Sequence, residues 1–184
     1  MKTKLKDVLD RAEKAHREAT ETFGVGARIQ AALSSARAEF RRVRSAKALS
    51  EMIRLRSEAE AVARELGNES EFVEAARAEI TESQEAFQTL AESIEERAAG
   101  IRKQLSDLRA KYAETLATAV LGGHDPIGGG CPPDVAEEIR VARVSVIQAF
   151  ELLLEVEFAG RRARDCANGT GREGDTFELL LTWA

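Results

Sequence analysis

Aromatic side chains are scarce in this chain, with seven Phe, one Tyr and one Trp among 184 residues, while 32% of the residues are charged. That combination disfavours a thick globular core and favours long helices with exposed faces. Two cysteines, Cys131 and Cys166, do not make a disulfide framework, so free thiols are the expectation. His16 has no second His or Cys at metal spacing nearby and reads as a half-buried helix histidine. No stretch approaches the roughly 20 apolar residues of a membrane span, and the opening Met-Lys-Thr-Lys-Leu-Lys-Asp has no apolar run of signal-peptide type. A cytoplasmic protein, or one assembled into a particle made in the cytoplasm, is therefore expected. The net charge of −5 supplies no general attraction to nucleic acid or to an anionic membrane.

What the chain has in quantity is helical periodicity. Apolar residues recur at threes and fours through Ile29, Leu33, Ala36, Phe40 and Val43, then through Ala48, Met52, Leu55, Ala59, Val62 and Leu66, with a slip between Val43 and Ala48. A second run reads Val73, Ala76, Ile80, Ser83, Phe87, Leu90 and Ile94, then Ala98, Ile101, Leu105, Leu108 and Tyr112, with a stutter from Leu90 to Ala98. Between the runs, Gly67 suits a left-handed helix end and Asn68 with Glu71 makes a capping box, so the two arms are expected to fold back on each other. In that register, slip and stutter fall at one level. Residues 27–66 carry nine basic against five acidic residues (+4), and residues 68–121 carry six against eleven (−5), so the arms are complementary. The register sets Arg41, Arg42, Arg44 and Lys47 beside Glu92, Glu95 and Glu96, and Arg54 and Arg56 beside Glu79 and Glu82.

Residues 4–23 form an amphipathic helix that Gly24-Val25-Gly26 is expected to end and fold back. Gly100, inside the second run, implies a closely packed neighbour. The connector from Gly122 to Pro133 contains all three prolines, and Asp134 then caps a helix with two apolar stripes. One stripe is Val135, Ile139, Ala142, Val146, Ala149, Leu153 and Val156; the other is Ile147, Phe150, Leu154 and Phe158. Two stripes imply cover from two sides.

The resulting expectation is an all-α fold: a four-helix bundle base from residues 1–46 plus 90–166, a projecting antiparallel two-helix coiled-coil hairpin of residues 47–89, and an extended C-terminal tail, residues 167–184. The projection is about 30 Å at 1.5 Å per residue. A lone two-helix ribbon leaves apolar edges, here Met52, Leu55, Val62, Leu66, Phe72 and Phe87, for a partner or a second copy. In the tail, Phe177, Leu179, Leu181 and Trp183 alternate like a strand completed by another molecule, although Asp175 with Glu178 would also suit one helical turn. The tail's Gly169-x-Gly171-x-x-Gly174 follows a helix and not a strand, which rejects a dinucleotide fingerprint.

Chemistry has little foothold. His124, Asp125 and Cys131 share a glycine-rich loop, without the further ligands a metal needs or the oxyanion donor a nucleophile needs. No cofactor, metal or catalytic residue is expected. The function expected is a non-enzymatic structural or assembly subunit that contacts protein, as a homo-oligomer or within a multi-subunit particle such as a virion. The alternative is an accessory nucleic-acid-binding subunit using Arg37, Arg41, Arg42, Arg44 and Lys47, which no interleaved aromatics support.

Overall fold

The computed structural model describes residues 2–66 and 71–184, without the side chains of residues 2–10, 12, 13, 16, 19, 66, 71 and 72. The expected turn at Gly67-Asn68, and the side chains of His16, Leu66 and Phe72, thus lie outside the described residues. Within them the chain is all-helical. The elements are α1 (Lys2–Val43), α2 (Ala46–Leu66), α3 (Glu71–Leu121), α4 (Pro133–Ala167) and α5 (Phe177–Leu181). They divide between two compact units, Met1–Gln88 with Ala163–Leu179, and Thr89–Arg162 with Leu180–Ala184. One division falls beside Leu90, where the stutter begins.

In the first unit, two expectations are corrected at once. α1 runs unbroken through Gly24-Val25-Gly26 and does not fold back there. Two helix-interior glycines cost only about 1 kcal/mol each, too little to stop a helix with good formers on both sides. Gly26 has a packing use, since a Cβ on it would lie 3.2 Å from Val62 Cγ1. The reversal comes instead at Arg44-Ser45, where the periodicity slips. Arg44 takes a left-handed φ of 47°. Ser45 then caps α2, its carbonyl accepting from Leu49 N and its Oγ accepting from Ala48 N. Residues 27–66 are therefore two antiparallel helices and not one arm, and the expected four-helix base is not formed by α1 turning on itself.

This reversal lays α1 over the pair that was expected to stand bare. Leu33, Phe40, Leu49, Met52, Leu55, Ala76, Ile80 and Phe87 are all buried. The apolar edge anticipated at Met52, Leu55 and Phe87 is thus covered by the chain itself, and Val62 is half-buried. α2 and α3 are joined by the ion pair Arg77–Glu60 at 2.8 Å.

The loop after α4 completes this unit. α4 ends in a Schellman motif, with Thr170 N donating to Asp165 O and Gly169 N donating to Cys166 O, which needs the positive φ of 75° at Gly169. Gly171 is pressed so closely that a Cβ would lie 2.5 Å from Ala46 Cβ and 2.7 Å from Cys166 Sγ. These are the glycines of the rejected dinucleotide pattern; they serve helix termination and close approach. The chain then passes the α1–α2 corner. Ala46 N donates to Asp175 O, Phe177 N donates to Arg44 O, and Ser45 and Thr176 form one isolated antiparallel bridge. The extended tail is corrected: Phe177–Leu181 is a helical turn, with Leu179 N donating to Thr176 Oγ1 as its cap. No strand exists among the described residues for it to pair with.

The second unit is a two-helix antiparallel ribbon of residues 89–121 and 133–162. Leu90, Ile94, Ala98, Ile101 and Leu105 of α3 are buried, as are Leu153, Val156 and Ala159 of α4. Gly160 brings the helices close, a Cβ there lying 3.4 Å from Ile94 Cγ2. Arg102 ties the ribbon's edge to Glu157 at 2.7 Å. α3 also ends in a Schellman motif, with His124 N on Ala119 O and Gly123 N on Val120 O. Pro133 opens α4, so Asp134 lies within its first turn and is not the residue before it. Gly100 is exposed with open space around it, against the expected close neighbour, and nothing in the structure explains it.

The glycines separate by environment. Gly100→Ala is expected to raise stability by about 0.5–1 kcal/mol, and Gly171→Ala to lower it by about 1–3 kcal/mol, in urea unfolding of the full chain. Equal effects of one sign would refute this assignment of the two environments.

Candidate functional surfaces

The basic cluster on α1 and α2 is largely occupied by acidic partners. Arg37 Nε donates to Glu79 Oε2 at 2.7 Å, and Arg41 donates to both oxygens of the same carboxylate at 2.7 and 3.0 Å. Burial alone would raise the Glu79 carboxyl, but hydrogen bonds from Arg41 and Arg37 and their charges hold it below its ordinary value of 4.5. Arg41 is correspondingly raised by the hydrogen bond and charge of Glu79. Lys47 bonds Glu173 at 2.6 Å, which raises the amine and lowers the carboxyl. The Arg44 guanidinium lies 4.0 Å from the Phe177 ring centre, and that ring meets Phe87 edge-on at 5.5 Å. Arg42 is exposed. The complementarity read from the two arms is real in kind, but its partners are Glu79 and Glu173 instead of Glu92, Glu95 and Glu96. Arg54 and Arg56 pair along their own helix, with Glu51 and Glu58, and with Glu60.

The loop grouping resolves into a turn. Asp125 Oδ1 accepts from Ile127 N and Gly128 N, and these bonds hold the carboxyl below its usual range. Its acceptor capacity is thus spent on shaping residues 125–130. His124 and Cys131 are half-buried, and no group of three His, Cys, Asp or Glu suited to a metal occurs among the described residues. No helix among them is long and apolar enough to cross a membrane.

The tail residues are divided. Phe177 is half-buried beneath Arg44, Leu180 is fully buried, and Leu179 and Leu181 are exposed. Trp183 is half-buried, its N–H donating to Leu180 O. The helical turn, not a strand, decides which leucines face solvent.

The largest apolar feature is one the sequence marks but misassigns. Of the two stripes on α4, the one ending in Leu153 and Val156 packs on α3, whereas Ile147, Phe150, Leu154 and Phe158 remain 42–48% exposed, joined by Val144 at 37%. The second cover expected from within the chain is not there. Around this stripe stand Arg143, Glu151 and Glu155, all exposed, while Arg140 is held by Glu137 at 2.6 Å. Arg161 and Arg162 lie 5.9 and 5.7 Å from the Phe158 ring centre. Chemically the face offers apolar contact rimmed by both signs of charge.

No protein-family model matches this chain, and neither does any curated protein or solved structure.

The Glu79 carboxylate is the electrostatic hinge of the first unit. Because its folded value lies below 4.5, it contributes stability above that pH, and the contribution is lost as pH falls through the folded value. Glu79→Gln is expected to cost about 1–3 kcal/mol at pH 7, leaving Arg37, whose side chain is only 16% exposed, without its charge partner. It should also flatten the fall in stability between about pH 5 and 3. Chemical denaturation across that range checks both.

Proposed function

We propose that this protein is a non-enzymatic assembly subunit that works by contact with other protein chains. The observation that supports this best is the α4 stripe: five large apolar residues along about 21 Å of helix, at 1.5 Å per residue, with nothing of their own unit over them. Exposed single leucines are ordinary, whereas a continuous stripe of this kind marks a contact surface. Exposed Leu179 and Leu181 extend the same character to the tail, so the contact residues expected on residues 47–89 shift to α4, where cover is lacking. The nucleic-acid alternative is weakened by the pairing of Arg37, Arg41 and Lys47 with Glu79 and Glu173.

A photo-reactive amino acid at Leu154, in the full chain within the cells that make it, tests this reading. A discrete protein adduct is expected there and not at Lys103, an exposed charged position on α3 of the same unit. No adduct at Leu154, together with salt-sensitive nucleic-acid binding lost on Arg41→Glu and Arg42→Glu, would reverse the reading.

A further inference from the structure

The stripe on α4 is self-complementary when turned end for end. In a helix pair related by a two-fold axis between positions 150 and 151, Ile147 of one copy meets Leu154 of the other, and the two Phe150 side chains flank the axis. Val144 and Arg143 then reach Phe158 of the other copy. Every large residue of the stripe acquires an apolar neighbour.

Charge selects the same direction. Arg143, in the first half of the stripe, comes between Phe158 and Glu155 of the other copy, placing a cation over an aromatic face and beside a carboxylate. The two-fold axis makes that contact twice. A parallel pair in register would instead set Arg143 on Arg143, Glu151 on Glu151 and Glu155 on Glu155, each a like-charge opposition. The exposed parts of the five apolar residues come to about 400 Å² per copy, judged from whole-residue areas of 150–250 Å² for aromatics. With the stems of Arg143, Glu151, Glu155 and Arg161, two copies cover on the order of 1,000 Å², the lower bound for a specific interface.

Resting on the reading of this protein as a contact-forming subunit, we propose that the occupant of the α4 face is a second copy of the same chain, docked antiparallel through Val144, Ile147, Phe150, Leu154 and Phe158. An interface of this size gives a dissociable dimer, with Kd of roughly 1–100 µM.

Sedimentation equilibrium of the full chain from about 1 to 500 µM tests it. Concentration-dependent dimerisation is expected, and Leu154→Glu should abolish it while leaving the helical circular dichroism and unfolding midpoint intact, because Leu154 is exposed. Arg143→Glu and Glu155→Arg should each weaken the dimer about 3–10-fold, and the double variant should recover most of the loss. In a Cys131→Ser background, Glu151→Cys should oxidise to a cross-linked dimer, whereas Arg140→Cys should not.

A monomer at every concentration, a dimer indifferent to Leu154→Glu, or efficient cross-linking through Arg140→Cys would each overturn the proposal. A photo-adduct at Leu154 with a different protein would also overturn it, and would leave the contact-forming reading standing. Absence of any adduct would remove that reading instead.

Discussion

The first unit depends on a corner that its own residues do not favour. Arg44 adopts a left-handed conformation, which costs a side-chain-bearing residue about 1–2 kcal/mol and is usually left to glycine. Three contacts offset that cost. Phe177 N donates to the Arg44 carbonyl, the guanidinium covers the Phe177 ring at 4.0 Å, and Ser45 caps the helix that departs. With the corner set, α1 lies along α2, Gly26 meets Val62, and the Arg37 and Arg41 side chains meet Glu79. Without it, the burial of Leu33, Phe40, Met52 and Phe87 has no basis.

Much of the helical content was legible because 3.6-residue periodicity is a local property. The runs from Ile29 to Leu66 and from Val73 to Tyr112 are helical throughout, save for the two residues at the slip. What periodicity does not encode is whether a break in phase is a bend, a stutter or a reversal. The slip at Val43–Ala48 became a reversal, whereas the stutter at Leu90–Ala98 passed through an unbroken helix. Glycine was misleading for the same reason: at Gly24 and Gly26 its propensity cost was outweighed by neighbours and packing. Arg44, the residue that turns the chain, carries no sequence signal of a left-handed corner, since the contacts that hold it come from residues more than 130 positions away.

The candidate surface was half-legible. Two stripes on one helix are visible in the sequence, and the inference that both need cover follows from the physics of burial. Which stripe the chain covers depends on the α3–α4 register, and that is fixed by long-range contacts such as Gly160 against Ile94 and Arg102 with Glu157. The basic cluster illustrates the converse. Its neutralisation followed from charge balance, but Glu79 could not be singled out until α1 was known to lie parallel to the start of α3. A cluster paired in this way has less charge to offer a polyanion than its arginine count suggests.

The corner also dictates an order of events during synthesis. Arg44 and Ser45 leave the ribosome well before Asp175, Thr176 and Phe177, which are made about 130 residues later, an interval of roughly 6–26 s at ordinary elongation rates. Throughout that interval the nascent α1–α2 pair lacks its latch, and Phe87 lacks the ring that will lie against it. The first unit is therefore finished only after translation of the clasp, and a ribosome stalled anywhere before residue 175 holds a helical hairpin that has been started but cannot be closed.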